Sequence, residues 1–80
     1  MRIIDSIPHP SITISIFMMN DKYIVKFEAG PMEQSFKFKT TEVNGLEDLK
    51  EKINEAFIEK VRIRFNEMYL QLKEKINEII

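Results

Sequence analysis

The sequence predicts an α+β domain: a three- or four-stranded antiparallel meander, then one long C-terminal helix packed on one sheet face. Three observations carry this. Residues 11–39 alternate apolar and polar with the two-residue period of strands, and from Asn44 onward apolar residues recur at helical steps of three and four. No Ser/Gly-rich linker, low-complexity tract or internal repeat divides the 80 residues. A single domain over 1–80 is expected, with 1–10 as an arm or short strand, 11–39 as the sheet and 44–80 as the amphipathic helix.

Arg2 to Ile7 is short, ends before Pro8-His9-Pro10, and is compatible with a fourth strand or an arm. The next segment has a register that can be tested on paper. A two-residue turn at Asn20-Asp21, both residues tolerant of the positive φ of a type I′ turn, sets Met18 opposite Tyr23, Ile16 opposite Val25 and Ile14 opposite Phe27. The other face then carries Phe17 with Ile24, Ser15 with Lys26 and Thr13 with Glu28. A slip of one residue would scramble this division between apolar and polar faces. Gly30-Pro31 marks a second reversal, pairing Phe27 with Gln34, Val25 with Phe36 and Tyr23 with Phe38. The expected buried side is Ile12, Ile14, Ile16, Tyr23, Val25, Phe27, Phe36 and Phe38.

Asn44 followed by Glu47 has the spacing of a capping box. From Leu46 the apolar series runs through Leu49, Ile53, Phe57, Val61, Phe65, Met68, Leu72, Ile76 and Ile79. Its mean step of about 3.67 is that of a nearly straight α-helix, not the 3.5 of a left-handed coiled coil. A helix of this length spans ~52 Å, whereas strands of about seven residues reach ~24 Å. Half of the helix therefore has no sheet of its own to lie on, yet its stripe continues and widens through Ile58, Tyr69 and Ile80. Either the helix bends back near Asn66 or a second chain covers it; a homodimer is the expectation.

Composition narrows function by exclusion. Twelve Lys+Arg against thirteen Asp+Glu give a net charge of −1, against a dedicated nucleic-acid or membrane-surface binder. The absence of cysteine removes disulfide scaffolds, thiolate zinc sites and thiol nucleophiles. Two glycines cannot form a phosphate-binding loop or a dinucleotide fingerprint. The longest apolar run, Ile16 to Met19, is far below the ~18 residues of a membrane span, and Asp5, Pro8 and Pro10 interrupt the apolar core a signal peptide needs. A cytoplasmic location is expected.

Candidate chemistry is sparse, and no cofactor or metal is expected. His9 is the only histidine, without a second imidazole or a tight acid cluster beside it in sequence, and reads as part of an extended surface segment. Glu51, Glu55 and Glu59 recur every four residues and would stack on one helix face; a solvated stripe with local ion pairs is the plain reading, a cation site the sharper one. Glu28 and Glu33 fall opposite each other, which suggests that the ladder frays beside Gly30-Pro31. An enzyme would have to draw on Glu28, Glu33 or His9 as acid–base groups, and no constellation joins them. A non-enzyme is therefore expected.

Surfaces are more informative. Ile63 and Leu70, seven residues apart, project almost opposite the main stripe, either as ordinary scattered apolars or as a second contact patch. With Phe65, Met68, Tyr69, Leu72 and Ile76 they form the expected dimer or partner interface. Helix charge is asymmetric. Glu47 to Glu59 holds five acids and two lysines, net −3; Lys60 to Lys75 holds five basic residues and two acids, net +3. An antiparallel helix pair would set these halves against each other, although complementing the helix dipole also accounts for the bias. The open sheet face presents Lys26, Lys37 and Lys39 with one aromatic, Phe17, a weak version of a single-stranded nucleic-acid platform.

In element order alone, a curved antiparallel sheet followed by a long helix resembles the layout of PUR-like single-stranded nucleic-acid-binding domains. Those domains have a further strand, for which only Arg2 to Ile7 is available here, and a clearer basic face. No residue motif is shared, so the resemblance implies no site. The sequence thus points first to a homodimeric, non-enzymatic binding or scaffolding module. A weak single-stranded DNA or RNA binder is the alternative.

Overall fold

The computed structural model of the chain describes residues 2–79. The elements run β1 (Arg2–Ile7), β2 (Thr13–Met19), β3 (Lys22–Ala29), β4 (Met32–Lys39), α1 (Gly45–Lys52) and α2 (Glu55–Ile79). The four strands form one antiparallel sheet in the order β1-β2-β3-β4. Arg2–Ile7 is thus a strand, and it sits at the sheet edge. A bulge between Ile3 and Asp5 shifts its register against β2, which lets Ile4 pack on the core while Asp5 lies opposite Ile16.

The β2–β3 and β3–β4 registers are those expected from the alternation, from Thr13 opposite Glu28 to Met19 opposite Lys22 and from Lys22 opposite Lys39 to Ala29 opposite Met32. The ladder does not fray at Glu28 and Glu33, which remain paired; Lys26 Nζ, 3.2 Å from Glu33, offsets the repulsion. The first turn differs from expectation. Asn20 has φ +56 and Asp21 keeps a negative φ, so the reversal is not type I′.

One sheet face carries the core: Ile12, Ile14, Ile16, Tyr23, Val25 and Phe27 are buried, with Phe36 and Phe38 packed partly buried at its margin. Two helices cover it where one was expected. The chain enters α1 through Gly45 at φ +88, a conformation that a Cβ disfavours. That entry keeps the Asn44 side chain from capping. Asp48 rather than Glu47 reaches back, its Oδ2 accepting the Asn44 amide at 2.9 Å. After Lys52 the helix stops. The Ile53 amide closes on the Leu49 carbonyl at 3.1 Å, and Asn54 begins a new helix by accepting the Phe57 amide on Oδ1 at 3.0 Å.

This break explains how a short sheet is covered. α1 lies against the β1 side, where Lys50 Nζ binds Asp5 Oδ2 at 2.9 Å. α2 lies against the β4 side, where Gln34 donates from Nε2 to the Val61 carbonyl at 3.1 Å. Phe57 anchors α2, with its ring stacked on Phe27 (centroids 5.9 Å apart) and edge-on to Phe36 (5.1 Å). Leu49, Ile53, Ile58, Val61 and Phe65 complete the core. Leu49 is thus supplied to the core by α1 and Val61 by α2. Every interior step of the apolar series survives the break, which is why periodicity alone missed it.

Beyond Phe65, α2 runs straight on through Asn66 to Ile79 without bending back. The molecule is accordingly long, 47 × 25 × 19 Å. Ile80, at the end of the expected stripe, lies outside the described residues. No helix among the described residues is long and apolar enough to cross a membrane.

Candidate functional site

Three surfaces remain once the core is assigned. The first is the outer half of α2. Phe65, expected at an interface, is buried in the chain's own core. Met68 and Leu72 are half-buried beside the β3–β4 turn and line, with Pro31 and Met32, a shallow groove of about 440 Å³. Further out the sheet ends. Tyr69 is 49% exposed, Ile76 43% and Ile79 83%, so the same stripe that is core at Val61 faces solvent two to five turns later. Ile63 and Leu70, 48% and 57% exposed, stand on the other side of the helix and have no packing partner in the core.

The second surface is the sheet face that neither helix covers. Pairing aligns Ile3, Phe17, Ile24 and Lys37 in one row across all four strands. The adjacent row sets Lys22 against Lys39. Phe17, Lys26, Lys37 and Lys39 therefore do share one face, but unevenly. Lys22, Lys37 and Lys39 gather near the Asn20 turn, while Lys26 is committed to Glu33. Two members of this surface escaped the sequence reading. Lys22 was legible from its register with Lys39; Ile3 was not, because only the bulge in β1 decides which face it takes.

The third surface was not foreseen. Pro8-His9-Pro10 and the α1–α2 junction enclose a groove of about 750 Å³ whose floor includes Ile7, Ile53 and Ile58. Glu51, Glu55 and Glu59 all border it, although the break means that they do not stack on one continuous helix. His9 is no free imidazole: its Nδ1 accepts the amides of Ser11 (3.2 Å) and Ile12 (3.1 Å). The ring thereby caps its own turn, and its proton resides on Nε2. Glu59 is held below the ordinary carboxylate range chiefly by its hydrogen bond to Arg62. Arg62 Nε lies 2.9 Å from Glu59 Oε2 and is itself pushed up by that contact. Lys50 is occupied with Asp5. Among the described residues, Glu51 and Glu55 form no ion pair.

No set of three or more His, Asp or Glu placed to hold a metal ion occurs among the described residues, and the one imidazole nitrogen free to accept is spent on backbone amides. Nor are Glu28, Glu33 and His9 brought together: the two acids lie on the open sheet face and His9 on the β1–β2 connection.

Fold and surfaces together define a four-stranded antiparallel α+β domain with one sheet face open and one helix extending past the sheet. No family model matches the chain, and neither a curated protein nor a solved structure matches it.

Proposed function

We propose that this chain is a homodimeric, non-enzymatic binding or scaffolding module working in the cytoplasm. The observation that carries the reading is the continuation of the core stripe along α2, half-buried at Leu72 and exposed at Tyr69, Ile76 and Ile79. Burying one such aliphatic side chain completely is worth roughly 1.5–3 kcal/mol. A small chain gains nothing for its own fold by carrying Ile76 and Ile79, with Tyr69, beyond its sheet. A second copy covers them by symmetry, because an isologous contact lets each chain supply the surface the other needs.

Sedimentation equilibrium over a range of concentrations tests this. The expected result is a mass near twice 9.5 kDa that falls towards the single-chain value in Leu72→Asp with Ile76→Asp. A wild-type chain monomeric throughout overturns the reading. Ile63→Asp with Leu70→Asp asks whether the opposite patch contributes; an unchanged mass assigns the contact to the main stripe alone.

A second reading, a weak single-stranded nucleic-acid binder, is favoured by one specific feature: Phe17 lies in the same open face as Lys22, Lys37 and Lys39. It calls for oligonucleotide binding that weakens steeply with salt and is abolished by Lys26→Glu with Lys37→Glu. No binding at low salt removes it.

A further inference from the structure

The two edges of the sheet are finished differently. β1 is interrupted by its bulge between Ile3 and Asp5, and Asp5 is tied to Lys50, so that edge offers no regular row of main-chain groups. β4 pairs with β3 without interruption from Met32 to Lys39 and has no proline inside it. Two contacts fix which of its residues face outward. The Thr40 amide reaches inward to the Asp21 carbonyl at 2.9 Å. Lys39 faces the other way: its amide donates to Glu42 Oε1 at 2.8 Å and its carbonyl accepts the Glu42 amide at 2.9 Å. Direction alternates along an antiparallel ladder, so Glu33, Ser35 and Lys37 also turn their main-chain groups outward. Among the described residues, nothing bonds to them there.

These three residues suit a second copy of themselves. An antiparallel partner related by a two-fold axis at Ser35 sets Ser35 opposite Ser35 and, on both sides of it, Glu33 opposite Lys37 on the open face. Glu33, already 3.2 Å from Lys26, gains a second base, and Lys37 gains an acid. On the core face Met32 falls opposite Phe38 and Gln34 opposite Phe36, side chains that stay half-buried in the single chain. Moving the axis to Gln34 would bring in Pro31, which has no amide to give. Moving it to Phe36 would need Lys39, already closed off by Glu42. A one-residue slip would set core-facing residues against solvent-facing ones. The Ser35 register alone uses every free group and matches both charges. It also reaches α2: Met32 lines, with Met68 and Leu72, the groove beside the β3–β4 turn, and Phe38 of the second copy becomes its cross-strand neighbour.

Resting on the dimer reading above, we propose that two copies join β4 to β4 about Ser35 into one continuous antiparallel sheet, with Phe38 of each laid against the Met32 and Leu72 groove of the other. The occupant of the edge is a second copy because its free hydrogen-bonding groups, charge order and apolar margin are self-complementary in a single register.

Full-length variants in sedimentation equilibrium at low salt test the arrangement. Ser35→Pro removes the central intermolecular bonds and spares the ladder to β3, since the Ser35 amide faces outward; dimerisation is expected to weaken roughly tenfold or more. Glu33→Lys and Lys37→Glu, each alone, are expected to weaken it comparably by setting like charges opposite each other. Both changes in one chain, or an equimolar mixture of the two single variants, are expected to restore it. Circular dichroism of each variant confirms that it is folded. Ser35→Cys in the otherwise cysteine-free chain is expected to form an intermolecular disulfide under mild oxidation, and Leu70→Cys is not. A wild-type dimer indifferent to Ser35→Pro and to both single charge changes, or cross-linked by Leu70→Cys rather than Ser35→Cys, overturns the edge pairing and leaves the dimer standing. A monomeric wild type overturns both. A monomer that instead adds an extended foreign peptide at β4, read as slowed exchange of the Glu33, Ser35 and Lys37 amides, assigns the edge to another protein's strand.

Discussion

The Oδ1 of Asn54 accepts the Phe57 amide at 3.0 Å, and this bond starts the second helix one turn before the ring that anchors it to the sheet. Asn44, in the position where the sequence suggests a cap, makes no side-chain capping bond. Asn54→Ala is therefore expected to destabilise the fold by about 1 kcal/mol, the usual worth of an N-cap. Asn44→Ala should stay within about 0.5 kcal/mol of wild type, as for surface changes that remove no such feature. Chemical denaturation of the two variants under one condition checks the contrast; equal losses would place the cap elsewhere.

Leu49 is fully buried under the break, although α1 is only eight residues long. Its truncation to Ala should cost about 2–5 kcal/mol, the range for large-to-small changes in a packed core. Such a loss is a large fraction of the stability of a small domain. Denaturant midpoints read the effect directly, and a value below 1 kcal/mol would mean that α1 is only loosely docked.

The Lys50–Asp5 pair ties α1 to the edge strand. Hydrogen bonding to Lys50, and secondarily to the Ser6 amide, holds the Asp5 carboxyl below the ordinary range, while Asp5 pushes Lys50 up. For Asp5 the stabilisation is complete above its unfolded value near ~4 and is lost as pH falls through the lower folded value. For Lys50 it is complete below its unfolded value near ~10 and is lost as pH rises through the higher folded one. Between those limits the tie should be constant. A carboxyl NMR titration should find Asp5 below the usual midpoint, returning towards it in Lys50→Met. Amide exchange in β1 should quicken in that variant at neutral pH, and the difference should vanish in strong acid.

On the open face, Lys26 is held by Glu33, whereas Lys22, Lys37 and Lys39 are in no ion pair among the described residues. If oligonucleotides bind, Lys37→Glu with Lys39→Glu should reduce affinity more than Lys26→Glu alone and flatten the salt dependence. The reverse ranking would move the contact towards the Gly30 turn.

Much of this protein is decided by local pattern. Alternation between Ile12 and Phe38 admits one register that puts apolar residues on one face, because side chains in a strand point up and down in turn. The helical stripe from Leu46 to Ile79 likewise follows from spacing alone. Tertiary structure decided the rest. Periodicity does not distinguish one helix from two that share a stripe, so the stop at Ile53 and the restart at Asn54 are visible only in the structure, where the Ile53 amide closes on Leu49 and the Asn54 side chain caps α2. The bulge in β1, which assigns Ile3 and Asp5 to their faces, has no signature in six residues. The groove where His9 meets Glu51, Glu55 and Glu59 exists only because β1–β2 and the helix junction pack together. These residues are more than forty positions apart, and nothing in their own neighbourhoods records the meeting.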